Sequence, residues 1–260
     1  MSTQEEHLHT TIRNLEIKIK DLQKRNQELE SFAYVASHDL QEPLRKIHIF
    51  SERILEAESE HFSPDTTDNF KRILSAAGRM KKLIDALLNY SRTNTDEKVF
   101  IEQNLNKLLE EVKSDLNEAI LEKKATITSD ELPTLPIIPH QFIQLLENLV
   151  SNSLKYSSEA SSPVIDIRSK KVTGAAIRPD INPQKEYWQI SVADNGIGFE
   201  NEYNERIFEI FQRLHGKHEY EGTGIGLAIC KKIVQNHNGY IQAEGAVNKG
   251  ATVKVFLPVE

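Results

Sequence analysis

The segment Ser37-His38-Asp39-Leu40-Gln41-Glu42-Pro43-Leu44 lies inside a long apolar repeat. Steps of four and three residues on either side of it give Leu8, Ile12, Leu15, Ile19, Leu22, Asn26, Leu29, Ala33, Ala36, Leu40, Pro43, Ile47, Phe50 and Ile54. Alternating spacing of this kind, sustained over many turns, is the heptad pattern of a coiled coil. Ile12 and Ile19 fall at a, and Leu15, Leu22 and Leu29 fall at d, a choice that favours two parallel strands. Asn26 occupies an a position, where a buried amide fixes register and dimer state at a cost in stability. The alternative is a long amphipathic helix packed within one globule. His38 falls at f on this register, away from the seam. Pro43 interrupts the helix interior, where it removes a backbone donor and kinks the helix at a cost of about 3 kcal/mol. Such a cost beside an exposed histidine suits a reactive site with adjustable geometry, although a lone helical histidine also suits a solvated surface.

A second helix is expected after Ser63-Pro64-Asp65, which supplies an N-cap, a proline at the first helical position and an acidic first turn. Apolar residues then recur at Phe70, Ile73, Leu74, Ala77, Met80, Leu83, Ile84, Leu87 and Leu88. That broad stripe belongs to a bundle helix. The two helices make a hairpin, and two hairpins make a dimeric four-helix bundle with His38 accessible. The polar stretch Ser91 to Lys98 reads as a hinge.

Beyond Val99 the pattern alternates. Helices are expected at Leu105–Leu121, Pro139–Tyr156 and Gly224–Asn236, and strands at Ala125–Ser129, Val164–Val172, Tyr187–Ala193, Tyr240–Glu244 and Ala251–Leu257. This order implies an α/β sandwich with helices on one sheet face. Gly174 to Gln184 reads as a loop insertion. Three segments there carry chemistry. In Glu147-Asn148-Leu149-Val150-Ser151-Asn152-Ser153-Leu154-Lys155-Tyr156, Asn148 and Asn152 share one helix face with Lys155 close by. Amide oxygens suit Mg2+, and a lysine suits phosphate oxygens; the same residues would also suit a solvated helix face. Asp194-Asn195-Gly196-Ile197-Gly198-Phe199 ends a strand with a carboxylate that can accept from an exocyclic amine. Its glycines permit close backbone approach. Gly222-Thr223-Gly224-Ile225-Gly226-Leu227 opens a helix, where free amides and the dipole favour phosphate. It lacks the Lys-Ser/Thr pair of a P-loop and the βαβ setting of a dinucleotide fingerprint.

Composition narrows the classes. The 260 residues carry a formal net charge of −7, with no basic stripe to bind nucleic acid. The single cysteine, Cys230, excludes an intrachain disulfide and reads as a small core residue in a reducing compartment. No apolar run reaches the ~20 residues that span a bilayer, and the polar N-terminus lacks a signal-peptide core. The expectation is therefore a cytoplasmic chain without a membrane segment.

Taken together, Ser37 to Leu44 resembles the H-box of histidine kinases, in the HDLQEPL variety of phytochrome-like members. The three later segments resemble the N, G1 and G2 boxes of their catalytic domains. Phe208-Glu209-Ile210-Phe211-Gln212-Arg213 between the last two resembles the F box. The resemblance runs from about Ser31 to the C-terminus. The heptad pattern gives a coiled coil over residues 1–30; the resemblance implies a dimerisation and histidine-phosphotransfer hairpin over 31–93 and a Bergerat-type ATP-binding catalytic domain over 99–260. It implies autophosphorylation of His38, with Asp39 as orienting base, and transfer to an aspartate of a response regulator. By position it puts Asp194 at adenine with Tyr156 nearby, and Asn148 and Asn152 at Mg2+ and the phosphates. Lys155 also reaches the phosphates. Gly196 and Gly198 belong to the base side, Gly222, Gly224 and Gly226 to the phosphate-side lid, and Thr252 sits near Asp194. ATP and Mg2+ are the implied cofactors. A homodimer, a receiver domain and an upstream sensor domain, in the parent protein or in trans, are the implied partners. Glu42 stands where many relatives have Thr or Asn, which puts phosphatase activity in question. Glu200 to Glu221 reads as a mobile polar lid. His215 and His218 within it read as solvated histidines, since a zinc site would need a third ligand. Two other classes fit parts of the pattern: a gyrase- or chaperone-like ATPase, which the H-box argues against, and a non-catalytic scaffold, which would not retain all the ATP boxes.

Overall fold

The heptad pattern produces one helix, α1, running from Thr3 to Glu58 through Pro43. The structure, a computed structural model, describes residues 3–58, 61–92, 99–158, 161–214 and 222–259. The side chains of Leu8, Asn26, Leu29 and Ala33 lie outside the described set, as do the histidines at 215 and 218. Contacts divide the chain into two units, residues 1–92 and 93–260. The expected interruption at Pro43 does not end α1. Proline supplies no N–H, so the cost falls on the Asp39 carbonyl, four residues earlier and next to His38.

α2 spans Pro64–Arg92. It starts as its sequence dictates: the Ser63 hydroxyl accepts the Thr66 N–H at 3.2 Å. Phe62 stacks on Phe70 with centroids 5.3 Å apart and fixes the entry of the chain. Leu44, Ala77 and Leu88 are buried in this unit. Gln41 on α1 donates to Asp85 on α2 at 2.7 Å, a polar crosslink less than one turn past His38. The coiled-coil seam, by contrast, is open: Ile12, Leu15, Ile19, Leu22, Leu40, Ile47, Phe50 and Ile54 are all exposed in the single chain.

In the second unit, β1 (Ile101–Asn104) pairs antiparallel with β3 (Thr134–Ile137), a small sheet that the sequence pattern did not reveal. Between them lie α3 (Leu105–Asp115), α4 (Asn117–Lys123) and β2 (Thr126–Ser129). The expected single helix from Leu105 to Leu121 is thus two. Its apolar stripe of Leu105, Leu108, Leu109 and Val112 is buried, whereas α4 buries nothing. Ser114, Asp115 and Asn117 are weak helix formers at the joint, and Leu116 leaves helical geometry at φ −94°, ψ 9°.

α5 (Pro139–Lys155), β4 (Val164–Thr173), β5 (Glu186–Asp194), α6 (Gly226–Asn236), β6 (Tyr240–Ala246) and β7 (Gly250–Pro258) complete the unit. The main sheet has order β2-β4-β5-β7-β6; β2 and β4 are parallel and the other pairs antiparallel. Alternation puts Ile165, Ile167, Ile190, Val192, Ala243, Val255 and Leu257 on the helix side, where all are buried. Phe142, Leu145, Leu146, Leu149 and Val150 of α5, with Ile229, Ile233 and Val234 of α6, fill the other layer. The result is an α/β sandwich with a mixed sheet. Cys230 lies in this layer, fully buried, and burial pushes its thiol far up, so it is a core residue.

One histidine ties the helix ends together. His237 accepts the Ile138 N–H at Nε2 (3.0 Å) while its Nδ1 meets the Ile233 carbonyl at 2.7 Å. The second contact requires the proton on Nδ1, so the C-terminal end of α6 serves as the missing N-cap of α5. The Gly174–Gln184 segment is more than a loop. Ile177 and Ile181 pack with Tyr187 and Phe256 on the opposite face of the sheet and give it a small second core.

Candidate functional site

A mostly apolar cleft opens between α5, the ends of β5 and β7, and the chain before α6. Leu149, Val192, Ile197, Phe199, Ile207, Leu227 and Val253 form its walls. Among the described residues that line it, the one carboxylate is Asp194. Its Oδ1 accepts the N–H groups of Gly196 at 2.9 Å and Ala251 at 3.1 Å, and its Oδ2 accepts from the Ser153 hydroxyl at 3.3 Å. Burial pushes the Asp194 carboxyl above the usual range, and these three donors pull back against it. Two glycines make the arrangement possible. Gly198 adopts φ +60°, and any Cβ there would strike the Ala246 carbonyl. Gly250 adopts φ +89° against the Asp194 carbonyl, which brings the next amide, that of Ala251, onto the side chain of Asp194.

The polar residues of α5 stand at the same cleft. Asn152, Ser153 and Tyr156 line it. Asn148 Oδ1 lies 3.1 Å from where a Cβ on Gly226 would be, so the first residue of α6 approaches that amide closely. The N-cap residue of α6, Ile225, has no side-chain group to cap it, so among the described residues its first-turn amides face the cleft without a side-chain cap. Lys155 Nζ donates to the Tyr156 hydroxyl at 2.9 Å, sits 4.4 Å from that ring's centroid and occupies the space a Cβ on Gly222 would need. The structure therefore brings together Asn148, Asn152, Lys155, Tyr156, Asp194 and the glycines at 196, 198, 222 and 226. Gly224 lies just before α6 at φ +73° against the backbone of Phe211 and Gln212. Thr252 is different. Ala251 and Val253 line the cleft, so the pleat turns the Thr252 side chain to the opposite face of the sheet. Only the backbone there is near Asp194.

Sequence reasoning missed Ser153, Ala251 and Arg213. Arg213 donates to the Gly222 carbonyl at 3.0 Å and so holds the glycine-rich segment, a bond between residues nine apart that no periodicity signals. The segment expected to be a mobile lid is anchored where it is described. Ile207 and Phe208 are buried against Ala243, and two short 3-10 turns, Asn201–Tyr203 and Arg206–Phe208, build the anchor. The rest of that lid, residues 215–221, lies outside the described residues. No group of three or more His, Cys, Asp or Glu capable of holding a metal occurs among the described residues. No helix there is long and apolar enough to cross a membrane.

On α1, His38 is 70% exposed at its side chain and its Nδ1 lies 3.3 Å from Asp39 Oδ1. An ionised carboxylate only accepts, so this contact favours the tautomer with the proton on Nδ1 and leaves the lone pair on Nε2. One turn on, Glu42 pairs with Lys46 at 2.8 Å, and that hydrogen bond holds its carboxyl below the ordinary range.

Residues 138–260 match the family model of the histidine kinase-, DNA gyrase B- and HSP90-like ATPases. The sandwich with its Asp194 cleft is the ATPase unit of that class. Residues 28–96 match the His Kinase A (phospho-acceptor) domain, which contains His38. Both modules on one chain define its family: it belongs to the sensor histidine kinases, protein kinases that phosphorylate a histidine of their own with ATP. Among similar proteins, cyanobacterial phytochrome A of Nostoc sp. is 38% identical over 239 residues, covering 92% of this chain and 30% of that protein. Phytochrome-like protein Cph1 of Synechocystis sp. is 33% identical over 240 residues, covering 92% of this chain and 30% of that protein. The chain thus spans 30% of the length of these curated relatives. Full-length ShkA, solved in complex with AMPPNP, shares the fold at TM-score 0.63 and 19% identity, covering 88% of this chain and 45% of that one.

Proposed function

We propose that this chain binds ATP with Mg2+ in the Asp194 cleft, phosphorylates His38 and passes the phosphoryl group to an aspartate of a response-regulator receiver domain. The observation that carries the reading is the convergence, at one cleft, of a half-buried carboxylate, an apolar wall and a helix N-terminus, that of α6, beside two asparagine amides. In this reading Asp194 Oδ2 accepts the adenine amine, and Tyr156 lies along the base. Lys155, the glycine-rich segment and the amides of α6 take the phosphates. Asn148 and Asn152 offer neutral oxygen ligands, which fit a hard ion that keeps its waters and binds substrate phosphates. Bound there, Mg2+ supplies neutralisation of the transferring charge.

The transfer is chiefly positioning and electrostatics. Nε2 of His38 attacks the γ-phosphorus, the bond to the ADP oxygen breaks, and the Nδ1 proton is held, then taken, by Asp39. Domain limits follow the same reading: a coiled coil over 1–30, the phosphotransfer hairpin over 31–93 and the catalytic domain over 99–260. The exposed heptad seam supports a homodimer. The length of the relatives supports a sensor domain upstream in a longer parent, and use of ATP supports a cytoplasmic site.

The test is incubation with γ-labelled ATP and Mg2+, followed by acid and alkali treatment of the protein. Label that survives alkali, is lost in acid and is absent from His38→Gln, with nucleotide affinity retained, is the expected result. ATP turnover without phosphoprotein would instead make the chain a gyrase- or chaperone-like ATPase.

A further inference from the structure

Ser153 is buried to 6% exposure at the cleft, on a helix interior where alanine would be the better helix former. Its hydroxyl has two acceptors within reach, the Leu149 carbonyl at 3.1 Å and Asp194 Oδ2 at 3.3 Å. One hydroxyl proton serves one acceptor at a time. The Leu149 bond is the ordinary back-bond of a helical serine and needs no particular neighbour. The Asp194 bond joins α5 to the end of β5 across 41 residues of sequence.

The two oxygens of Asp194 have different surroundings. Oδ1 accepts two backbone N–H groups, from Gly196 and Ala251. Those donors sit on backbone that the glycine contacts hold in place, so Oδ1 is fixed by the fold. Among the described residues Oδ2 meets the Ser153 hydroxyl, and a carboxylate oxygen with one donor has acceptor capacity left for a ligand. Two donors on Oδ1 still allow the carboxylate to rock about that oxygen. A third donor on Oδ2, from a different element, removes the rocking.

We propose that Ser153 is a positioning residue for base recognition, holding Asp194 Oδ2 where it accepts the exocyclic amine of adenine. The proposal rests on the reading of Asp194 as the adenine contact. Ser153 acts through the carboxylate, so its effect is confined to ligands that carry the amine.

Calorimetric titration of the whole chain with two probes tests this: the imido analogue of ATP, and the same analogue with purine lacking the 6-amino group. Ser153→Ala is expected to weaken the amino analogue about tenfold, as for loss of one hydrogen bond to a charged group, and to leave the deamino analogue within about twofold of wild type. Alanine suits the helix, and thermal unfolding of the variant checks that the fold is intact. An equal loss for both probes would make Ser153 a packing residue and overturn the proposal, as would no loss for either. Asp194→Asn separates the two levels. If it distinguishes the probes as wild type does, the reading of Asp194 fails and the proposal with it. If it no longer distinguishes them while Ser153→Ala still does so fully, only the role of Ser153 fails.

Discussion

The two units of this chain spend their apolar residues in opposite ways. In the catalytic unit the large side chains close on themselves: Phe142, Leu145, Leu146, Ile165, Ile167 and Phe256 are all at most 2% exposed. In the helical unit Leu15, Ile19 and Leu22 are 53%, 54% and 65% exposed. A fully buried Leu or Ile contributes about 1.5–3 kcal/mol, so an open seam of this length forgoes many times that until something covers it. The catalytic unit is built to be complete as one chain, and the helical unit is built to be half of something. Function divides along the same line. On the proposed function, the cleft is lined by residues of one chain, whereas His38 sits on a helix whose apolar seam is left open for a second copy.

The comparison breaks most severely under charge in the seam. Leu15→Glu combined with Leu22→Glu puts four carboxylates into a dimer's apolar core, and desolvating each costs several kcal/mol. The dimer dissociation constant is expected to rise by at least about 10³-fold, measured by sedimentation equilibrium. Affinity for the ATP analogue should stay at the wild-type value. A matching loss of nucleotide binding would mean that the catalytic unit is not complete in one chain.

Asp194→Asn attacks the other unit. Loss of the charged acceptor for the adenine amine is expected to weaken ATP binding about 100-fold, with dimerisation untouched. Stability should move the other way. Burial raises the Asp194 carboxyl, so the folded state holds its proton to higher pH than the unfolded chain does. The cost of ionising Asp194 is therefore absent below the ordinary carboxylate range, grows as pH rises through the window up to its raised folded value, and is fully present above. Asparagine avoids this cost: its oxygen can accept from Gly196 and Ala251, and its amide can donate to Ser153. The variant's Tm at neutral pH should rise by about 2–4 °C, and the gain should vanish in acid. A fall in Tm at neutral pH would show that the carboxylate is a structural group first.

What could be read from the sequence follows the same division. α1 and α2 were legible because a helix records its buried face in local spacing, and Ser63-Pro64-Asp65 states where α2 begins. The polar residues of α5, Asp194 and the glycine-rich segment were legible as a pattern of boxes, and the fold brings them to one cleft. Thr252 was misplaced because proximity along the chain says nothing about which side of a pleat a side chain takes. Ser153 and Arg213 were invisible for a related reason. Their partners, Asp194 and Gly222, are chosen by the fold, and neither bond has a period. The small β1–β3 sheet joins four-residue strands about thirty residues apart, too short to alternate convincingly. Ile177 and Ile181 looked like loop residues because the second core they serve is assembled from β5, β7 and their own segment. Gln41 and Asp85 escaped as well, although their bond crosses between two helices that were both predicted.

The smallest expected effect lies at the junction of coil and phosphoacceptor. One helix runs from Thr3 to Glu58 without a break, so the coil and His38 share a single rotational phase. Each inserted residue turns everything downstream by about 100° relative to everything upstream. If the coil transmits a signal as twist, insertion of one or two alanines beside Asn26 changes how His38 and Asp39 are presented, and a seven-residue insertion restores the phase. The expected change in initial autophosphorylation rate is a few-fold, since neither the nucleotide cleft nor the His38–Asp39 pair loses an atom, and the rate should return with the full heptad. A rate that falls steadily with insertion length, blind to phase, would mean that the coil contributes association alone. A phase-dependent rate would instead join the two units functionally: the self-contained cleft would be supplying phosphate to a histidine whose availability is set by a helix that cannot bury its own seam.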